Sequence, residues 1–213
     1  MKAELIKIHT QHLKNMKAMG FEGLIPYTHS NPLVRWIFWK RLETMLNLVN
    51  SGKRVLDFGA GSGIFMPSLS KRFGEVYSLD RNIDSLGYVK RSEALSNVKI
   101  VQGADSQLPY KDDVFDIVFA ADVLEHFQDS SEIQKEFKRV LRKGGYLVVS
   151  GPTENFIYRL ARKTMFWHKK PDDHYTEIED IMEKSAKLFQ IEEVKVLPCS
   201  FIPGFKVYRA KNV

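Results

Sequence analysis

The stretch Val55-Leu56-Asp57-Phe58-Gly59-Ala60-Gly61-Ser62-Gly63 decides the fold. A short apolar run carries a carboxylate into glycines at alternate positions, the pattern of a strand that turns sharply into a helix. In open α/β sheets ligands bind at that turn, outside the carboxyl end of a parallel strand. Glycine admits positive φ and lets a ligand lie against bare backbone, and a helix beginning near Ser62 presents unsatisfied amide hydrogens to it. A dinucleotide fingerprint, G-x-G-x-x-G, puts its third glycine at position 64, where Ile64 stands. Asp57, ahead of the first glycine, suits a cationic ligand better than a pyrophosphate.

Outward from this loop, short apolar runs at 54–58, 75–79, 98–102, 114–120 and 146–150 read as strands. Helical patterns over about 62–73, 83–95 and 131–141 separate them, which argues for a parallel sheet covered on both faces. Upstream, Asn31 caps and Pro32 opens a helix over 33–49. Downstream, residues 153–171 read as a helical insertion, followed by a helix over about 176–189 that Thr176 caps and by strands near 191–197 and 204–209.

The chain has 213 residues, 44% of them hydrophobic and 27% charged, the balance of a folded globular protein. One domain is expected over 1–213: a helical cap (1–50), a ligand-binding core (53–150), a variable insertion (151–175) and a C-terminal helix with strands (176–213). No run approaches the roughly 18 apolar residues of a spanning helix, and Met1 to Gly20 lacks the apolar block of a secretory signal, so a cytoplasmic protein is expected. Cys199 is the only cysteine, which excludes an internal disulfide and a cysteine-built zinc site. The net charge of +6 fits an anionic partner or a solvated basic surface equally.

Two further carboxylates follow the strands. Asp80 closes the second strand, about 20 residues beyond the loop, where an acid accepts hydrogen bonds from ribose hydroxyls. Asp105, just past the third strand, is placed either to accept from an adenine amino group or to form a turn.

Together these segments resemble the class I S-adenosylmethionine-dependent methyltransferases. The resemblance is carried in order by residues 55–63, by Ser78-Leu79-Asp80, by Gln102-Gly103-Ala104-Asp105, by Phe115-Asp116-Ile117-Val118-Phe119 and by Leu141-Arg142-Lys143-Gly144-Gly145. Asp122-Val123-Leu124-Glu125-His126-Phe127 is similar to the V-L-E-H segment of the group that acts mainly on small molecules. The resemblance implies a Rossmann-like three-layer α/β sandwich with a seven-stranded, mostly parallel sheet whose last strand is antiparallel. It implies S-adenosylmethionine as cofactor, held by Asp57, Phe58, Gly59, Ala60, Gly61, Gly63, Asp80, Arg81, Asp105, Ser106, Ala121 and Asp122. It covers residues 53–150 and fades in the flanking segments that vary with substrate.

Methyl transfer from a sulfonium is an in-line displacement that needs positioning more than side-chain chemistry, and neither a metal nor a protein nucleophile. His126 is the candidate general base, set against a purely structural hydrogen bond. Glu125 either neutralises the cofactor or caps a helix. The insertion, with Arg159, Arg162, Phe166, Trp167, His168 and Tyr175, suggests an acceptor-binding lid. His168 and His174 with Asp172 and Asp173, or His9 with His12, are the only metal-like pairings, and neither has a third ligand at a diagnostic spacing. Trp36, Phe38 and Trp39 read as the buried face of a helix over the active site, with Tyr27 and His29 as pocket residues, rather than as a membrane foot.

The expected reaction is therefore methylation of a small organic acceptor. RNA or protein methylation is the alternative inside the enzyme class, although Ala121-Asp122-Val123-Leu124 stands where many amino-group methylating enzymes carry an Asn-Pro-Pro-Tyr-like motif. A non-catalytic cofactor-binding subunit is the alternative outside it. A lipid contact and the oligomeric state stay open.

Overall fold

A computed structural model describes residues 4–21, 23–50, 52–103, 107–153 and 174–213. Three helices precede the sheet: α1 (Thr10–Ala18), α2 (Ile25–Thr28) and α3 (Pro32–Asn47). The α3 start follows from its sequence. The Asn31 side chain accepts a hydrogen bond from the Leu33 amide at 2.9 Å, and Pro32 has no N–H to leave unsatisfied.

Strands and helices then alternate as β1 (Arg54–Phe58), α4 (Met66–Arg72), β2 (Glu75–Asp80), α5 (Asp84–Ser92), β3 (Val98–Gln102) and β4 (Phe115–Ala121). After a 3-10 turn at Leu124–His126 come α6 (Ser131–Val140), β5 (Leu141–Pro152), α7 (Ile178–Ala186), β6 (Gln190–Cys199) and β7 (Ile202–Lys211). The seven strands lie in the order β3-β2-β1-β4-β5-β7-β6. The pairs from β3 through β5 are parallel, and β7 runs antiparallel to both β5 and β6. Strand order reverses between β1 and β4, which opens a crevice at their carboxyl ends.

Alternation along the strands fills two cores. Val55, Ile117 and Phe119 pack with Trp39, Leu42, Met66 and Val89 of the α3–α5 layer. Leu56, Phe58, Val118 and Tyr208 pack with Phe137 and Val140 of α6 and Ile181 of α7. The expected three-layer sandwich is present. Asp57 shares the parity of Val55, so its side chain belongs to the α3–α5 face. Among the described residues no helix is long and apolar enough to cross a membrane.

Four expectations need correction. Helix α4 begins at Met66 rather than near Ser62, because Gly63 takes φ 76° and its carbonyl accepts from the Met66 amide, after which Pro67 occupies the first turn. Strand β5 begins at Leu141 rather than at 146, since Gly144 and Gly145 form an irregularity in its pairing with β4 instead of a break. Thr176 does not cap α7; its hydroxyl donates to the Phe127 carbonyl at 2.6 Å, and Glu177 is the cap residue. The aromatic stripe of α3 divides, with Trp39 buried and Trp36 exposed. Of the expected insertion, 154–173 lies outside the described residues.

A buried polar chain ties the second layer to the sheet. The Ser185 hydroxyl of α7 donates to Gln134 Oε1 of α6 at 2.8 Å. Its one proton is thereby committed, so the Tyr208 hydroxyl of β7 donates to Ser185 at 2.6 Å. Gln134 in turn donates to Ser130 Oγ and to the Ile181 carbonyl. Ser185→Ala strands the Tyr208 proton and the Gln134 oxygen in the core, and urea unfolding should show a loss of about 1–3 kcal/mol. A variant as stable as the parent would contradict this reading.

Candidate active site

The loop after β1 is pinned to the end of β2. The Gly59 and Ala60 amides donate to the Leu79 carbonyl at 2.9 and 3.1 Å, and the Gly61 amide donates to Asp80 Oδ2 at 2.7 Å. These donors are occupied by the fold itself, so the loop serves the crevice by clearance rather than as the array of free amides expected from a helix at Ser62. All three glycines have positive φ, but for different reasons. A Cβ on Gly59 would lie 2.3 Å from Val123 Cγ2, and one on Gly63 would press on Met66 and Leu86. At Gly61 nothing lies nearer than 3.9 Å, so this glycine borders open space.

Three carboxylates converge there. Asp57 is buried, and its Oδ2 has no hydrogen-bond partner. Burial, reinforced by the negative charge of Asp80, pushes its carboxyl up to about 7. Asp80 accepts from the Asn82 amide at 3.0 Å as well as from Gly61. Asp122, at the end of β4 with φ 50°, accepts from Ser150 Oγ at 2.9 Å and forms an ion pair with Nη1 of Arg41.

Arg41 is the residue that sequence reading missed. It is 3% exposed, its Nη2 donates to the Tyr27 hydroxyl at 2.8 Å, and its guanidinium lies 5.4 Å from the ring centroids of both Phe38 and Phe205. The signal was present: Phe38, Arg41 and Met45 recur at helical spacing on the inward stripe of α3. Arg41 stands close to Arg35 and Lys40 in the sequence, and nothing in their composition marks it as the buried one.

These groups border a cavity of about 530 Å³ between the α2–α3 segment and the strand ends. Of the residues singled out in the sequence, Asp57, Gly59, Ala60, Gly61, Asp80, Ala121, Asp122 and His126 line it, together with Tyr27, Phe38, Arg41, Asn82, Ser85 and Val123. Phe58, Gly63 and Arg81 lie outside the lining. The Phe58 ring packs on Phe137 in the other core at 4.9 Å, Gly63 serves helix packing, and Arg81 is exposed. Asp105 and Ser106 fall outside the described residues.

His126 is exposed, and its ring meets His174 edge-on at 4.9 Å. Buried Glu125 joins them: one ligand atom from each of Glu125, His126 and His174 lies within 4.8 Å of the others, a set of donors suited to a cation. The carbonyl of Glu125 also accepts from the Tyr175 amide at 2.8 Å. His168, Asp172 and Asp173 lie outside the described residues. His9 caps α1 through the Gln11 amide, and His12 pairs with Glu93 at 2.7 Å, so both have structural partners.

Comparison with known proteins agrees with this geometry. Residues 56–149 match the family model described as a methyltransferase domain. A ubiquinone/menaquinone biosynthesis C-methyltransferase, UbiE, of Vibrio vulnificus is 33% identical over 118 residues, covering 52% of this chain and 45% of that protein. The UbiE of Pseudomonas putida is 34% identical over 132 residues, covering 57% and 51%. The chain thus spans about half the length of these curated relatives. Among solved structures, the N-methyltransferase NodS of Bradyrhizobium japonicum in complex with S-adenosyl-L-homocysteine superposes with a TM-score of 0.68 at 18% identity, covering 95% of this chain and 97% of that one. The PH0226 protein of Pyrococcus horikoshii gives 0.68 at 21% identity, covering 88% and 95%.

The fold and the crevice are those of a methyltransferase domain. Residues 56–149 match a methyltransferase domain, and the chain is similar over that stretch to S-adenosylmethionine-dependent methyltransferases. Its own residues fit that cofactor: a buried carboxylate with one orphaned oxygen, on a residue that lines the cavity, matches a cationic ammonium, and a carboxylate at the end of β2 matches ribose hydroxyls.

The perturbed Asp57 has a stability consequence. Near the ordinary value of 3.8 the unfolded chain ionises, whereas the folded chain keeps its proton until about 7. Stability therefore falls as pH rises through that window and levels off above it. Asp57→Asn removes the effect, so the unfolding free energy of the variant relative to the parent should rise by about 4 kcal/mol between pH 4 and pH 8. A difference that stays constant with pH would contradict the buried, protonated carboxyl.

Proposed function

We propose that this chain transfers the methyl group of S-adenosylmethionine to a small organic acceptor by in-line displacement. The observation that carries the reading is the buried Asp57, one oxygen unpartnered, on the lining of the same cavity as Asp80. Bound there, the cofactor supplies an activated methyl group on a sulfonium. Asp57 would hold the ammonium as a carboxylate, its proton passing to solvent as that charge binds. Asp80 accepts from the ribose hydroxyls, kept in place by the Gly61 and Asn82 amides. Ala121 with Asp122 would underlie the methionine portion, and the adenine roles expected of Asp105 and Ser106 rest on the sequence resemblance alone.

The remaining task is to hold an acceptor atom in line with the transferred methyl group, roughly 3 to 3.5 Å from the attacked centre, and to keep water away. Tyr27, Phe38 and Arg41 form the cavity wall that does this. Arg41, held by Tyr27 and Asp122, fixes that wall in place. His126, at the cavity rim, is the base where the acceptor must lose a proton. A volume of about 530 Å³ fits a small-molecule site, and the similarity to UbiE, a C-methyltransferase of ubiquinone/menaquinone biosynthesis, supports a small organic acceptor.

Calorimetric titration tests the cofactor assignment: Asp80→Ala should weaken S-adenosylhomocysteine binding at least tenfold, and binding of NADH in its place would overturn the reading. Release of S-adenosylhomocysteine during turnover separates an enzyme from a binding module. The displacement draws on no metal, so treatment with EDTA should leave the turnover rate unchanged. A loss restored by a divalent cation would instead assign an ion to Glu125, His126 and His174.

A further inference from the structure

The N-terminal layer holds a second, larger cavity of about 890 Å³, bordered by α1, α2, α3 and the residues ahead of α1. Its lining carries five cations, Lys7, Lys14, Lys17, Arg35 and Lys40, against two acids, Glu4 and Glu43. Two of the cations are engaged: Lys40 pairs with Glu43 at 2.7 Å, and Arg35 donates to the carbonyls of His29 and Ser30. Lys7 lies 5.8 Å from the centroid of the Trp39 ring. Lys14 and Lys17, one turn apart on α1, are exposed and form no ion pair among the described residues.

Beside these cations, bulky apolar side chains face water. Trp36 is 48% exposed and Leu33, on the same face of α3, is 55% exposed; Ile25 at the start of α2 is also 55% exposed. Scattered apolar residues on a surface are ordinary, but Trp36 lines the cationic groove itself, with Leu33 one turn before it on α3 and Ile25 on the preceding helix. Unpaired ammonium groups favour water or anions, and exposed indole and aliphatic groups favour an apolar phase. A bilayer with anionic headgroups meets both demands at once.

We propose that this face seats the protein on an anionic lipid bilayer. Trp36, Leu33 and Ile25 enter the boundary between headgroups and acyl chains, while Lys7, Lys14 and Lys17 meet lipid phosphates. Tyr27 lines this groove and the cofactor crevice alike, so the seated face lies directly behind the wall of the active site. The proposal concerns a different surface from the methyl-transfer site and does not depend on the identity of the acceptor.

Co-sedimentation of the full chain with vesicles tests it, using phosphatidylcholine alone and phosphatidylcholine with roughly one-third phosphatidylglycerol. Binding is expected only to the anionic vesicles and should weaken as salt rises, because exposed charges are screened. Lys14→Glu combined with Lys17→Glu should lower partitioning at least tenfold, and Trp36→Ser should lower it several-fold, with melting temperatures and S-adenosylhomocysteine affinity unchanged. No binding to anionic vesicles, equal binding to neutral ones, or partitioning indifferent to these substitutions would overturn the proposal. So would retention of an RNA or of soluble glycerol phosphate on this face without vesicle binding.

Discussion

A carboxylate that is buried with one oxygen unpartnered is the constraint on which the site depends. The β1 strand carries Asp57 inward on the same face as Val55, where its Oδ2 meets no hydrogen-bond partner. Asp80 adds a second negative charge from the neighbouring strand, so protonation or an incoming positive charge is needed to relieve the site. A fold selected for stability alone would place an apolar residue at this position. Retaining an acid there lowers stability at neutral pH and prepares the crevice for a cationic ligand.

The helical cap is joined to this centre by a second electrostatic contact. Arg41 reaches from α3 to Asp122 at the end of β4, with Tyr27, Phe38 and Phe205 enclosing the guanidinium. Removing either partner of a buried ion pair leaves an uncompensated charge, which is why such pairs fix geometry more than they add net stability. The contact makes the N-terminal layer part of the crevice wall. It also ties the surface bearing Trp36 to the same helix that positions Arg41.

Much of the architecture was legible because its signals are local. The bounds of β1 and β3 follow from apolar runs between polar turns, and the Asn31-Pro32 start of α3 follows from capping chemistry. The glycine loop with Asp57 and Asp80 marked the crevice because carboxylates at successive strand ends meet at one edge of a parallel sheet. The errors arose where tertiary contacts override local rules. Gly144 and Gly145 read as a break, yet they are accommodated inside β5. The three glycines read as clearance for a ligand, yet Gly59 and Gly63 mainly admit Val123, Met66 and Leu86. Arg41 was hidden because composition does not tell a buried arginine from a solvated one, and Trp36 was misplaced because periodicity gives the centre of a buried stripe but not its width.

The central claim is that Asp57 is held protonated near neutrality until a cationic cofactor arrives. Carbon-13 NMR titration of its carboxyl group, in the free protein and with S-adenosylhomocysteine bound, tests this most directly. The account predicts a midpoint near 7 in the free protein and a fall toward the ordinary carboxylate range on binding. An ordinary midpoint in the free protein, or one that ligand binding leaves in place, would contradict it.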